Sequence, residues 1–241
     1  ATRLMVESER RGIQPDVAMH NILIKGYASC SPPQPERAEE VLARIRATGL
    51  VPSTTSICSV MDAWCELNQE DQAQRLMTSG LRDGYIRPSG PLYNTLIKAV
   101  SRCRCKRSRG ECACDVCRCC RPDRGMELLR EMAAKGLAPD VKSYSAAVSA
   151  CARGGEGKEA QRLLQEMTAR GVPPNAVTYT SVMAACESGD EALALLRQMS
   201  ASGMAPDRVS YNRVLAACAK SRQWQMLDEL FEEMASHGIA P

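Results

Sequence analysis

Apolar residues recur along this chain three and four positions apart, the spacing that places them on one face of an α-helix. Two alternating sets of helices are predicted. The first set carries the stripes His20/Leu23/Ile24/Tyr27, Ile57/Val60/Met61/Trp64, Tyr93/Leu96/Ile97/Val100, Tyr144/Ala147/Val148/Cys151, Tyr179/Val182/Met183/Cys186 and Tyr211/Val214/Leu215/Cys218. The second set carries Ala38/Val41/Leu42/Ile45, Ala73/Leu76/Met77, Leu128/Leu129/Met132, Ala160/Leu163/Leu164/Met167, Ala192/Leu195/Leu196/Met199 and Leu227/Leu230/Phe231/Met234. No stretch alternates apolar and polar residues long enough to predict a strand.

A glycine followed by a proline ends each pair of stripes. Glycine accepts a positive φ at a helix end, and proline cannot continue the helix. The glycines are Gly12, Gly49, Gly84, Gly136, Gly171, Gly203 and Gly238, and the prolines fall at positions 15, 52, 88, 139, 174, 206 and 241. A period of about 35 residues indicates a repeat array, in which each unit buries its apolar face against its neighbours.

The glycine and proline positions divide the chain into six two-helix repeats preceded by a partial one. The partial repeat is 1–16, and the repeats are 17–53, 54–89, 90–140, 141–175, 176–207 and 208–241. The chain starts within a repeat and without Met, so we expect it to be a piece of a longer array.

Charge is distributed unevenly along the chain. The net charge is +3, and residues 101–124 hold eight of the 31 basic residues but only three of the 28 acidic ones. The repeats outside that segment are therefore not basic, and any nucleic-acid binding must depend on locally placed cations and base contacts. No apolar run approaches the roughly 20 residues of a membrane helix, so no membrane association is predicted.

The third repeat is about 16 residues too long because it contains a Cys/Arg-rich insertion, 101–122. Two C-x2-C spacings, Cys114/Cys117 and Cys117/Cys120, suit zinc, but they share one cysteine and no histidine lies near them. A solvated loop and a soft-metal site both remain open, so no metal ligand and no cofactor is assigned. Cys151, Cys186 and Cys218 recur at one helical position and are predicted to be small buried hydrophobes.

Several recurring segments resemble the pentatricopeptide repeat family. They are 93–98 (YNTLIK), 177–182 (VTYTSV), 209–214 (VSYNRV), 128–132 (LLREM) and 136–140 (GLAPD). The resemblance covers the whole chain except the insertion. It implies an all-α fold, a right-handed α-solenoid of about six tandem helix-turn-helix repeats, that binds single-stranded RNA with one base per repeat. It also implies work in a chloroplast or mitochondrion, in RNA processing, stability, translation or editing.

The resemblance further implies which side chains contact the RNA. In each repeat, the residue after the tyrosine position and the last residue of the repeat select the base. These pairs are Asn21/Ser53, Cys58/Ser89, Asn94/Asp140, Ser145/Asn175 and Thr180/Asp207, with Asn212 and Asp16 lacking partners. Aliphatic residues that wedge the base are Ala18, Val177 and Val209, and basic residues that face the phosphates are Arg102, Arg153 and Lys220.

Donor and acceptor chemistry predicts the bases. A terminal Asp only accepts hydrogen bonds and suits the ring N–H of uracil or guanine, whereas Asn or Ser can donate to the ring nitrogen of adenine or cytosine. The family adds that Asn at the first position goes with pyrimidines and Ser or Thr with purines. The predicted order is uracil or guanine, cytosine, an undetermined base at the Cys58 repeat, uracil, adenine, guanine and a pyrimidine.

Two other functions compete with this one. Helical-pair arrays also serve as protein-interaction scaffolds, and this chain could be the RNA-recognition part of a larger RNA-processing enzyme. The recurrence of Ser, Thr and Asn at one position, with Asp, Asn or Ser at the repeat end, favours RNA. The chain contains no recognisable catalytic motif, so we predict that it is not an enzyme, with other proteins of RNA metabolism as possible partners.

Overall fold

The computed structural model of the chain describes residues 16–101 and 122–239. Within these ranges it contains twelve α-helices and no strand, so the predicted all-α class is confirmed. The helices are α1 (Val17–Ala28), α2 (Pro35–Ala47), α3 (Thr54–Glu66), α4 (Glu70–Arg82), α5 (Gly90–Ser101), α6 (Pro122–Ala134), α7 (Val141–Gly154), α8 (Gly157–Ala169), α9 (Ala176–Met183), α10 (Gly189–Ala201), α11 (Arg208–Lys220) and α12 (Trp224–Ser236).

The helices form two compact units, one with residues 16–99 and 132–138 and the other with 100–101, 122–131 and 139–239. In the first unit, α1 packs on α2 and α3 packs on α4, and α3 also packs on both helices of the preceding pair. In the second unit, α7/α8, α9/α10 and α11/α12 form pairs, and α9 packs on both α7 and α11. Within each unit, apolar stripes of these helices are thus covered partly by their own pair and partly by a neighbouring repeat.

The predicted stripes form the core. The tyrosines that begin four of the first-helix stripes are fully buried: Tyr93, Tyr144, Tyr179 and Tyr211. The last helix departs from its prediction, because Phe231 is 45% exposed while Leu230 and Met234 are buried. Helix α12 packs against α11, which covers Leu230 and Met234 but leaves the side that carries Phe231 open.

The buried tyrosines also connect the two helices of a repeat through their hydroxyl groups. Tyr144 donates to Glu166 at 3.1 Å, and Tyr211 donates to Glu233 at 2.9 Å. Burial, reinforced by the neighbouring carboxylates, raises the pKa of both tyrosines to about 12. Both phenols therefore remain protonated hydrogen-bond donors at neutral pH.

Glycine ends the helices as predicted. At Gly49 φ is +75°, and its N–H donates to the carbonyl of Arg46 while the N–H of Leu50 donates to that of Ile45. A residue with a Cβ would be strained in this left-handed conformation. The same conformation occurs at Gly84, Gly136, Gly171, Gly203 and Gly238.

The fifth repeat contains an unusually short first helix. Helix α9 has 8 residues and ends at Met183, so Cys186, predicted on its stripe, lies beyond the helix. The N–H groups of Ala185 and Cys186 donate to carbonyls three residues back, which tightens the chain into a turn. Cys186 is nevertheless buried, because the turn carries its side chain into the core.

The six cysteines in the described part of the chain are free thiols. Cys151, Cys186 and Cys218 are buried, and burial raises the pKa of the first two to about 11. They are small hydrophobes, as predicted. The cysteines of the insertion lie outside the described residues.

No helix in the described ranges combines the length and apolar content needed to cross a bilayer.

Candidate nucleic-acid interface

At five repeat junctions, the last residue of one repeat caps the first helix of the next. Side chains with an oxygen are suited to this position, because they accept the otherwise unpaired backbone N–H two or three residues on. The acceptors and donors are Asp16 with Met19, Ser53 with Ser56, Asp140 with Ser143, Asn175 with Thr178 and Asp207 with Ser210, at 2.8 to 3.1 Å. The backbone of the following helix thus holds four of the predicted base-selecting residues: Ser53, Asp140, Asn175 and Asp207.

A second polar residue, three positions after the cap, joins this arrangement and was not among the predicted site residues. It is Ser56, Ser143, Thr178 or Ser210, and all four are buried. The hydroxyls of Ser143, Thr178 and Ser210 donate back to the capping side chain at 2.7 to 2.9 Å. The sequence contained a signal for them, since a Ser or Thr three residues after a cap is the spacing of a capping box.

Two of the predicted pairs are brought together by this polar residue three positions after the cap. Ser145 lies 2.8 Å from the Thr178 hydroxyl and 3.5 Å from Asn175 Oδ1. Likewise, Ser56 donates to Asn21 and lies 2.6 Å from the Ser53 hydroxyl. Each of these clusters joins the first helices of successive repeats, with both predicted base-selecting residues incompletely buried.

The Cys58/Ser89 pair lacks such a cluster. Leu92 occupies the position equivalent to Thr178 and is fully buried, so no hydroxyl is available there to connect the pair. The Ser89 hydroxyl is buried with no hydrogen-bond partner in the described chain. Burial raises the pKa of the Cys58 thiol, and a hydrogen bond with Thr95 partly opposes that shift. Cys58 is therefore a neutral thiol at physiological pH.

The Thr180/Asp207 pair is arranged differently again. The Thr180 hydroxyl donates to its own helix, at 2.9 Å from the Ala176 carbonyl and 3.2 Å from that of Val177. Both hydrogen bonds from Ser210 end on Oδ1 of Asp207, so Oδ2 takes part in neither. These hydrogen bonds from the Ser210 backbone and hydroxyl lower the pKa of Asp207. The exposed carboxylate is therefore an anion and a hydrogen-bond acceptor.

The lowered pKa predicts how stability depends on pH. An ordinary Asp titrates near pH 3.9 when unfolded, so the stabilisation from ionised Asp207 is present above about pH 4 and is lost as pH falls through the lower folded pKa. Because Asp207 is exposed, its ionisation contributes less than about 1 kcal/mol to the free energy of unfolding. We expect the difference in unfolding free energy between the wild type and Asp207→Asn, which retains a capping oxygen, to shrink below about pH 4. The unfolding free energies of both proteins are measured by urea titration between neutral pH and pH 3. A difference that stays constant over this range would contradict the lowered pKa of Asp207.

The remaining pair, Asn94 and Asp140, is divided between the two compact units. Each residue is described within its own unit: Asn94 is half-buried on α5, and Asp140 is exposed at the start of α7. Asp140 forms a complete capping box with Ser143, in which each side chain bonds the other residue's backbone N–H. The pairing of Asn94 with Asp140 stays a prediction. Asn212 is exposed on α11.

Apolar side chains accompany the polar pairs at the surface. Val177 and Val209 immediately precede Thr178 and Ser210, and they are 59% and 50% exposed. Ala18 holds the same position on α1 and is also exposed. Exposed valine at a repeated position has no role in the core, so these residues are available to contact a ligand beside the polar pairs.

Two of the three predicted phosphate-facing cations lie in the described ranges. Lys220 is exposed in the last turn of α11. Arg153 is exposed in the last turn of α7, and its guanidinium donates to the carbonyl of Ser101 at the end of α5. Arg102 lies outside the described residues, and within them no group of three or more His, Cys, Asp or Glu residues could hold a metal.

The chain is similar to proteins of a known repeat family. A family model described as the pentatricopeptide repeat domain matches residues 3–65, 127–188 and 194–241, more than half of the chain. The small ribosomal subunit protein mL103 (rPPR7) of Arabidopsis thaliana is 27% identical over 143 residues, which is 59% of this chain and 30% of that protein.

Two solved structures extend the comparison. The pentatricopeptide repeat protein PPR10 from maize superposes with a TM-score of 0.67 at 28% identity, covering 100% of this chain and 32% of that one. The PPR domain of Arabidopsis thaliana protein-only RNase P 1, solved in complex with tRNA, gives a TM-score of 0.59 at 15% identity, covering 75% and 88%. These likenesses confirm the helical-repeat solenoid class. The chain spans about 30% of the length of mL103 and PPR10.

Proposed function

Because the chain belongs to the pentatricopeptide repeat family, we propose that it binds single-stranded RNA in a sequence-selective manner, one base per repeat. The observation that carries this proposal is the set of polar pairs at the repeat junctions. Ser145 with Asn175 and Asn21 with Ser53 are each gathered into one hydrogen-bonded cluster that links successive repeats. A protein-interaction scaffold has no need of such pairs.

The chemistry of each pair supports a choice of base. Ionised Asp207 accepts the ring N–H of guanine, and Asn175 can donate to the ring nitrogen of adenine. The paired residues proposed to select bases are Asn21, Ser53, Cys58, Ser89, Asn94, Asp140, Ser145, Asn175, Thr180 and Asp207, together with Asn212. The Cys58 repeat contributes little selectivity, because a neutral thiol is a weak donor and acceptor and the hydroxyl of its Ser89 partner is buried.

The surrounding side chains have supporting roles. Val177, Val209 and Ala18 pack against the faces of adjacent bases and separate them. Arg102, Arg153 and Lys220 attract the phosphates. Because the repeats carry few such cations, most of the selectivity comes from base contacts, and the electrostatic contribution is small.

The biological setting is also a proposal. We infer that the whole protein acts in organellar RNA processing, stability, translation or editing, in a chloroplast or mitochondrion, because the family resemblance implies that setting. These repeats bind RNA without catalysing a reaction. The RNase P neighbour is matched through its PPR domain, in keeping with a recognition role for these repeats.

A filter-binding assay tests RNA recognition directly. The probe is the predicted heptamer (uracil or guanine, cytosine, any base, uracil, adenine, guanine, pyrimidine), and the control is an oligonucleotide of the same composition in scrambled order. We expect tighter binding to the predicted order, since each correct base contributes roughly 1–3 kcal/mol of discrimination in comparable hydrogen-bonded recognition. Equal affinity for both strands would refute sequence-selective binding.

The salt dependence provides a separate prediction. With about three cations facing phosphates, at roughly −0.7 each, a plot of log K against log salt should have a slope on the order of −2. Lys220→Ala should make that slope shallower by roughly 0.7 while leaving the order of preferred bases unchanged. A slope steeper than about −5 would instead indicate binding by a broad positive surface.

A further inference from the structure

We propose that Thr178 and Ser56 are positioning residues for base recognition: each hydroxyl fixes which groups the adjoining pair presents to the base. The inference rests on the proposed function and assigns a role to buried residues outside the predicted base-selecting set. It follows from the direction of the hydrogen bonds at the two clusters.

At the Thr178 cluster, the protons can be placed by counting. The backbone N–H of Thr178 is an obligatory donor, so the Asn175 side chain must turn its Oδ1 toward it, at 2.9 Å. The Thr178 hydroxyl gives its single proton to the same Oδ1, also at 2.9 Å. Ser145, 2.8 Å from that hydroxyl, must then be the donor in their shared hydrogen bond.

This ordering determines what remains for a ligand. The Asn175 oxygen already accepts two hydrogen bonds from Thr178, so the NH₂ group of Asn175 remains available to donate. The Ser145 hydroxyl donates its proton to Thr178, so its lone pairs remain available to accept a hydrogen bond. Adenine presents the complementary edge, a ring nitrogen that accepts and an amino group that donates, whereas guanine presents a ring N–H and a carbonyl. The Thr178 hydroxyl therefore favours adenine over guanine without touching the base.

Ser56 acts in the same way on Asn21. Its hydroxyl donates to Asn21 Oδ1, which leaves the Asn21 NH₂ group as a donor for the ring carbonyl that both pyrimidines carry. The other repeats show that the bridge is separate from helix capping. Asp207 caps α11 by accepting from Ser210, yet the Ser210 hydroxyl bonds Asp207 and the sulfur of Met199, and the Thr180 hydroxyl bonds the backbone of its own helix.

The test compares Thr178→Val, which keeps the shape of the side chain and removes the hydroxyl, with Thr178→Ser, which keeps the hydroxyl. Each full chain is titrated with four heptamers that differ only at the base assigned to Ser145. We expect Thr178→Val to lose roughly three- to tenfold of the preference for adenine over guanine, corresponding to one hydrogen bond, and Thr178→Ser to retain it. The preferences at other positions should be unchanged.

A matched control separates positioning from packing. Ser149 and Ser181 share a hydroxyl hydrogen bond of 3.0 Å between the same two helices, α7 and α9, and neither is a predicted base-selecting residue. Ser181→Ala removes a comparable contact and should leave the adenine preference intact. An unchanged preference in Thr178→Val, or an equal loss in Ser181→Ala, would overturn the positioning role.

Two further outcomes are distinguishable. If circular dichroism shows that Thr178→Val does not fold, the same titration is carried out on Ser56→Ala at the base assigned to Asn21. A retained pyrimidine preference there overturns the inference, and a reduced one supports it. A wild-type chain that binds every heptamer equally refutes the proposed function itself, and the inference with it.

Discussion

Replacing Thr180 with asparagine is expected to change the base selected by the fifth repeat from guanine to uracil, with Asp207 retained. Asp207 is an exposed carboxylate with a lowered pKa, so it accepts the ring N–H that guanine and uracil share. The residue at position 180 therefore decides between the two bases. We expect roughly a tenfold or greater change in their relative affinities, which corresponds to one hydrogen-bonded base contact.

The hydrogen bonds of Thr180 explain the direction of this change. Its hydroxyl proton is directed at the carbonyls of Ala176 and Val177, so only lone pairs remain to meet a base. Guanine offers an amino group to such an acceptor, and uracil has none. An asparagine at this position can turn an NH₂ group outward, which suits a carbonyl oxygen of uracil.

Selection from a pool of random heptamers measures the change. Thr180→Ser, which keeps a hydroxyl, is the matched control and should still select guanine. Selection of guanine by Thr180→Asn would show that position 180 does not contact the base and that the residue assignment is wrong.

The largest effect on stability is expected for Gly157→Ala. Gly157 begins α8, and a Cβ at this residue would overlap the carbonyl oxygen of Ala185 and lie 3.3 Å from the carbonyl carbon. Because both contacts are with backbone, no side-chain rotation can relieve them, and α8 must move away from the turn that follows α9. Overpacking of this kind costs about 1–3 kcal/mol. We expect a loss of that size in the free energy of unfolding, measured by urea denaturation followed by circular dichroism.

Gly125 provides the control within the same chain. It lies in the interior of α6, where an added Cβ would be 3.6 Å from Ala147 Cα, an ordinary contact. Replacing a helical glycine with alanine removes an entropic cost of about 0.5–1 kcal/mol, so Gly125→Ala should be neutral or stabilising. Equal destabilisation by the two substitutions would mean that the close approach at Gly157 does not limit the packing.

The spacing of apolar residues was sufficient to predict most of the fold. A stripe such as Ile57/Val60/Met61/Trp64 can be buried only if the segment is helical, and its recurrence shows that the next repeat covers it. The glycine ends were predictable for a similarly local reason, since a positive φ at Gly49 depends on that residue alone. Phe231 and Cys186 departed from their predictions because exposure and helix length depend on the neighbouring helices.

The candidate site was predictable only in part. The capping residues recur at the repeat period, so their positions are visible in the sequence. The hydroxyl of Thr178 also recurs, yet its bond to Ser145, 33 residues away, arises from the stacking of α7 on α9. Likewise, nothing local distinguishes Thr180, whose hydroxyl turns back to its own helix, from Ser145.

The sequence by itself determined the helices, their ends, the repeat period and the residue types offered at each junction, because all of these depend on interactions within a few residues. Only the tertiary structure decided which hydroxyl donates to which acceptor, which glycine meets a neighbouring backbone and which apolar residues remain exposed. Those features depend on the distance between helices of successive repeats, and that distance is set by the packing of many side chains together.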